Sequence, residues 1–236
     1  MGESDSRLRI VAFGAHAGDA DFTMAHVLAK YARHGHKGTI VHVTLGEAGN
    51  PRMSPEEYAD QRKVEVRESA QVYGVDARWL PYPDGELPAT PEVELAVCDL
   101  IRELKPDIVL THWVGSFHQD HILTYHLVSR GVLLARLPKV ERDLPPHSVR
   151  SIYYAENWED PQDFVPEVYV DITEVFDLWL EGAGKHALFR GEVSTFPYQE
   201  YYKALARARG AESGCRYAAT FMRPREMMKS AVQFFP

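Results

Sequence analysis

Cysteine is almost missing from this sequence. Cys98 and Cys215 are the only two in 236 residues, and they lie far apart. That excludes a disulfide-knit scaffold and points to a reduced, cytoplasmic setting. Basic charge is also short: 26 Lys and Arg stand against 34 Asp and Glu, a formal net charge of −8. With no Lys/Arg block, the chain lacks the electrostatic footprint of a nucleic-acid binder. No apolar run approaches the roughly 20 residues needed to cross a bilayer. The polar stretch Met1–Arg9 lacks the apolar h-region of a signal peptide. Repeats, low-complexity tracts and linkers are absent as well. What remains is an ordinary globular composition, 45% apolar and 25% charged, long enough for a substantial core. One domain over 1–236 is expected.

Hydrophobic periodicity predicts alternating strands and helices. Leu8–Gly14 reads as a buried strand and Asp19–Arg33 as a helix. Gly38–Leu45 is a second strand. Ser54 caps a helix with Pro55 at its first position and Glu56-Glu57 behind, running to Tyr73 and stopping at Gly74. Trp79-Leu80 is a brief strand, Asp84-Gly85 a turn, and Pro91–Leu104 a helix in which Cys98 is a small core residue. Asp107–His112 is a strong strand and Gln119–Leu134 a helix. Later strands are expected at Ser151–Ala155 and Glu167–Ile172, and helices at Phe176–Arg190 and Gln199–Arg209. The pattern predicts an α/β fold: a Rossmann-like three-layer sandwich on a mainly parallel sheet, with a C-terminal elaboration. The segment Asp143–Phe164, rich in Pro, Asp and aromatics, reads as a loop over the site or as a plain surface connection. The aromatics Tyr153, Tyr154, Trp158 and Trp179 fit a pocket, a subunit interface or, most commonly, the core. A homo-oligomer is compatible with that.

Two strings carry chemistry. Ala15-His16-Ala17-Gly18-Asp19 follows the first strand, and His118-Gln119-Asp120-His121 follows the Asp107–His112 strand. In open α/β sheets ligands bind beyond the carboxyl ends of the strands, so both strings fall on the functional edge. His16 and Asp19 are three positions apart, as are His118 and His121. Two histidines and one carboxylate form a ligand set for catalytic zinc, with the fourth position left for water. Eleven histidines occur in all; His34, His36, His126 and His147 read as surface or packing residues, and a histidine pair alone is more often structural.

The two strings resemble the PIG-L/LmbE superfamily of zinc-dependent de-N-acetylases, whose motifs are Ala/Pro-His-Pro-Asp-Asp-Glu and His-Xaa-Asp-His. Further matches follow in order. Thr44–Gly49 resembles its Thr-Xaa-Gly-Glu-Xaa-Gly loop, and Arg62 with Glu65, then Gly74, resembles its Arg-Xaa-Xaa-Glu helix. Asp84-Gly85 resembles its Asp-Gly, and Arg209-Gly210 with Tyr217–Phe221 its C-terminal elements. The resemblance implies zinc held by His16, Asp19 and His121. It implies that His118 stabilises the oxyanion or protonates the leaving group. By the same resemblance Asp120 orients a neighbouring histidine, and Arg62 and Gly18 face a small-molecule substrate.

The first motif departs from the family at the positions of its proline, its first Asp and its Glu: here Ala17, Gly18 and Ala20. The first Asp is the family's proton acceptor, a role worth roughly 10²–10⁴-fold. Three readings compete. In one, Asp21, Glu47 or Asp120 replaces the base in a de-N-acetylase acting on an N-acyl amino sugar or related amide. Asp21 reads more readily as a first-turn helix carboxylate favoured by the dipole than as a catalytic group, so Glu47, on a loop at the functional edge, is the better placed. In the second, the protein is a hydratase resembling 4-oxalomesaconate hydratase, which has small residues between the same His and Asp. In the third, it is a zinc-containing binding protein without turnover.

Overall fold

A computed structural model describes residues 7–224; Met1–Ser6 of the polar N-terminal stretch lie outside the described residues. One seven-stranded sheet runs through the described residues in the order β3-β2-β1-β4-β5-β7-β6. The strands are β1 (Arg9–Gly14), β2 (Lys37–Thr44), β3 (Asp76–Tyr82), β4 (Ile108–Thr111), β5 (Ser151–Ala155), β6 (Val168–Asp171) and β7 (Ala218–Met222). The first five pair in parallel, and β7 pairs antiparallel to both β5 and β6. The α/β, mainly parallel architecture read from the periodicity is the observed one.

Alternation along β1 explains the layers. Ile10 and Ala12 join one core with Ile40, Leu110 and helical residues Leu28 and Trp179. Val11 and Phe13 join another with Val41, Val109, Val97 and Val128. Period-two side chains buried on both faces require helices above and below the sheet. The helices are α1 (Asp19–Thr23), α2 (Ala25–Arg33), α3 (Pro55–Tyr73), α4 (Pro91–Leu104), α5 (Gln119–Arg136), α6 (Phe176–Ala183) and α7 (Tyr198–Ser213).

α3 matches its sequence signals in full. Ser54 and Glu57 form a reciprocal capping box, Pro55 opens the helix, and Gly74 closes it at φ +72°. Cys98 is fully buried in α4.

Four elements depart from the sequence reading, the first being the brief strand expected at Trp79-Leu80, which extends over the seven residues of β3. The helix expected over Asp19–Arg33 breaks at Met24, where φ is −132°. Thr23 Oγ1 back-bonds to the Asp19 carbonyl at 2.7 Å, a contact that bends helices. The helix expected over Phe176–Arg190 stops at Ala183, because the Ala187 N–H is spent on Glu65 Oε1 at 3.1 Å. β7 was not foreseen; all five of its residues are buried, so no alternation marks it.

Strand order reverses between β1 and β4, since the chain moves outward to β2 and β3 and then returns to β4 on the other side of β1. This is the switch point at which ligands enter such sheets. Both sequence strings leave the sheet there.

Candidate metal centre

His16 and Asp19 close a tight turn between β1 and α1. The His16 N–H donates to Asp19 Oδ2 at 2.8 Å, and His16 Nδ1 lies 3.1 Å from the same oxygen. α5 opens at His118, whose Nδ1 accepts the Asp120 N–H at 3.3 Å. One turn further, His121 points its Nε2 at Asp19 Oδ2, 3.3 Å away. His16, Asp19 and His121 thus bring three ligand atoms within 4.8 Å of one another.

Behind this triplet stands a second layer. Asp160, fully buried, lies 3.0 Å from His121 Nδ1 and 3.2 Å from His112 Nδ1. His112 Nε2 accepts the Ala15 N–H at 3.0 Å, which puts the His112 proton on Nδ1, facing Asp160. The His121 Nδ1–H donates to Asp160 in the same way. That leaves His121 Nε2 buried with no hydrogen-bond partner, between Asp19 Oδ2 at 3.3 Å and Glu159 Oε2 at 3.4 Å. A lone pair facing two carboxylate oxygens needs a cation between them, either a proton or a metal ion. On the other side, His16 Nε2 lies 3.3 Å from Asp120 Oδ2 and 3.1 Å from Asp84 Oδ1, leaving Nδ1 turned toward Asp19. Asp120 also accepts the Gly85 N–H at 2.9 Å.

The field is that of a cation site. Burial resists charge on His16, but Asp19 and the bonds to Asp120 and Asp84 outweigh it and hold its pKa well above the ordinary value. Burial is likewise outweighed at His121, where Asp19 and Asp160 lift the pKa to about 9. Asp19 is held well below the carboxylate range: burial opposes this, but His121, His16 and His112 win. His118, half-buried, moves the other way: desolvation and the neighbouring His16 and His121 lower its pKa.

The triplet opens into a pocket of about 240 Å³, lined among others by His16, Asp19, Arg62, Asp84, His118 and Glu159. Of the residues singled out from sequence, His16, Asp19, His121, His118, Asp120 and Arg62 converge here. Arg62 is 2% exposed; its Nε donates to the Leu45 carbonyl and its Nη1 to Glu65 at 2.9 Å. Gly18, Asp120 and His121 do not line the pocket itself, and Asp21 and Glu47 are turned to other partners. Asp21 is fully buried beneath it, accepting from Ser69 Oγ at 2.7 Å beside His186 Nε2 at 3.2 Å. Glu47 turns aside to accept the Asp84 N–H at 3.0 Å. Gly18 adopts φ +107°, and a Cβ there would lie 2.9 Å from the Phe22 ring and 3.1 Å from Arg62 Nη2.

Sequence reasoning missed His112, Asp160, Asp84 and Glu159. His112 carried a signal, a histidine at the carboxyl end of the central strand β4. Asp84 stood in a turn matched to the family's Asp-Gly but given no role, and Glu159-Asp160 in a segment read as a loop over the site or a surface connection, with no residue singled out.

The fold and this cluster define an α/β protein with a histidine–carboxylate centre suited to a metal ion at the switch point of its sheet. The chain belongs to the PIG-L family, described as GlcNAc-PI de-N-acetylase, which matches residues 11–132. It is 28% identical over 229 residues to the diacetylchitobiose deacetylase of Thermococcus kodakarensis, covering 89% of this chain and 80% of that protein. It is 29% identical over 147 residues to the mycothiol S-conjugate amidase of Streptomyces coelicolor, covering 51% of this chain and 50% of that protein. Among solved structures, the 4-carboxy-2-hydroxymuconate hydratase of Pseudomonas putida superposes with a TM-score of 0.86 over 97% of this chain and all of that one. At 19% identity that likeness is one of fold. Among the described residues, no helix is long and apolar enough to cross a membrane.

Proposed function

We propose that this protein is a zinc-dependent hydrolase that removes the acetyl group from an N-acetylglucosamine-containing small molecule. One observation carries the metal: His121 Nε2, buried and unpartnered between Asp19 and Glu159, with its opposite nitrogen bound to Asp160. Carboxylate-backed histidines of this kind are how proteins fix and strengthen metal ligands. His16, Asp19 and His121 would hold the ion, and a donor set of two imidazoles and one carboxylate suits zinc. When bound, zinc supplies Lewis-acid polarisation of the amide carbonyl and lowers the pKa of water from 15.7 to about 7. The amide class follows from the relatives named above, whose activities are deacetylation and amide cleavage.

The chain's own residues supply the rest. His118 faces the pocket beside His16 and His121, its ring centre 4.6 Å and 4.9 Å from theirs. From there it hydrogen-bonds the carbonyl oxygen as charge develops and delivers a proton to the departing nitrogen. Asp120 and Asp84 hold the His16 ring. Arg62, locked by Glu65 and Leu45, presents its remaining nitrogen to the substrate over Gly18, which has no side chain to cover it. The unpaired Cys98 and Cys215 support a cytoplasmic setting.

The test is purified, zinc-loaded protein on a panel of N-acetylated sugars and conjugates, scored by free amine. Turnover of at least one, abolished by a chelator, is expected. Inertness across the panel with zinc bound would overturn this reading. Gly18 favours a second one, hydration of an unsaturated carboxylate, because the position that the family reserves for its proton acceptor has no side chain, and a Cβ there would lie 2.9 Å from the Phe22 ring. Loss of enoate absorbance in the presence of zinc would establish it.

A further inference from the structure

The site gathers residues that could hold a metal ion and a histidine placed to act as an acid, but Gly18 stands where the family keeps its proton acceptor. We infer that Glu159 takes that role, accepting the proton of the attacking water from the loop after β5 and not from the turn after β1. The inference rests on the hydrolytic reading above.

Every other carboxylate near the cluster already has at least one oxygen held by a neighbouring N–H, hydroxyl or imidazole. Asp19 meets His16, His112 and His121. Asp84 accepts the Ala48 N–H at 3.0 Å and faces His16. Asp120 accepts from Gly85 and faces His16, Asp160 holds two imidazoles, and Glu47 holds the Asp84 N–H. Asp21 is sealed below the pocket against Ser69 and His186. Glu159 alone lines the pocket with a carboxylate that accepts no hydrogen bond among the described residues. Its Oε2 lies 3.4 Å from His121 Nε2, beside the position a metal ion would take.

Its backbone is fixed, while its side chain accepts no hydrogen bond among the described residues and meets only the ion contact with His121. The Glu159 carbonyl accepts the Phe117 N–H at 3.1 Å and Ser116 Oγ at 3.0 Å. Its N–H donates to Asn157 Oδ1 at 3.3 Å, and that oxygen also accepts from Tyr202 at 2.8 Å. The next residue is Asp160, anchored to His112 and His121. A carboxylate on so rigid a base, with no hydrogen bond of its own, is suited to receive a proton and hand it on. A carboxylate at Gly18 would instead meet the Phe22 ring.

The step balances as follows. The water oxygen forms a bond to the acyl carbon while one of its protons passes to Glu159. The carbon–nitrogen bond then breaks, and both water protons end on the nitrogen, so that an ammonium and a carboxylate leave.

The test uses Glu159→Gln and Glu159→Ala in the full chain, with two readouts. The first is zinc affinity by chelator competition, expected within about threefold of wild type; a fall beyond about tenfold, the scale on which metal-site partners act, would make Glu159 a ligand and overturn the proposal. The second is kcat on an amide from the panel, together with exchange of ¹⁸O between acetate and water, which needs no amine portion. Both are expected to fall by about 10²–10⁴-fold with KM little changed. Wild-type rates in either variant would overturn the role of Glu159 alone. Exchange in wild type with an inert panel would fault the substrate class and leave Glu159 testable by exchange. Neither exchange nor turnover in wild type would overturn the hydrolytic reading and this inference with it.

Discussion

Asp160 Oδ1 lies 3.0 Å from His121 Nδ1, and this bond decides which nitrogen of His121 faces the pocket. Removing the negative charge leaves that ring free to rotate and less basic. Asp160→Asn is expected to lower zinc affinity about 10–100-fold, the usual cost of losing such a partner. Chelator competition measures it; wild-type affinity would remove Asp160 from the support of the centre.

Metal uptake should depend on pH. In the metal-free protein burial resists protonation of His121, but Asp19 and Asp160 lift its pKa to about 9. His16 is raised in the same sense, chiefly by Asp19 once burial is overcome. Both rings therefore carry at pH 7 a proton that the ion must expel. Apparent affinity should climb with pH until His121 titrates at about 9 and level above that. Calorimetry in two buffers of different ionisation enthalpy should show more than one proton released per zinc at neutral pH. Affinity flat across this range would contradict the assigned ligands.

Restoring the family's residue at position 18 should fail. Gly18 sits at φ +107°, where an L side chain is strained, and its Cβ would press on Phe22. Gly18→Asp should cost about 1–3 kcal/mol of stability. Thermal unfolding would then fall by roughly 2–4 °C per kcal/mol in a chain of this size. No gain in amide hydrolysis is expected. A large gain at unchanged stability would show that only a base was missing and that Glu159 does not supply it.

His118 is expected to separate chemistry from metal binding. His118→Ala should retain zinc and lose about 10²–10⁴-fold in kcat. It also removes the ring that caps α5 through the Asp120 N–H, a contact worth about 1 kcal/mol. Loss of zinc in this variant would place His118 among the ligands.

What was legible in the sequence was local. Ser54, Pro55, Glu57 and Gly74 fix both ends of α3 through contacts within a few residues, so pattern and structure agree. The strings at His16–Asp19 and His118–His121 were readable because each follows a strand, and a parallel sheet gathers strand ends at one edge. The unread parts depend on distant pairings. Asp160 meets His121 across 39 positions and His112 across 48. The end of α6 is set by Glu65 taking the Ala187 N–H, 122 positions away. Glu47 had the right location on the sheet edge, but its side-chain direction follows from the Asp84 N–H, a contact that spacing does not reveal.

On the function proposed above, His16, Asp19 and His121 hold an ion on which amide hydrolysis depends. The most direct measurement is acetate release from an N-acetylated sugar of the panel that the wild type turns over, by protein stripped of metal and then titrated with zinc. The account predicts activity that rises linearly and saturates at one zinc per chain, and that His121→Ala abolishes together with tight binding. Acetate release that is indifferent to zinc, or full activity in His121→Ala, would contradict it.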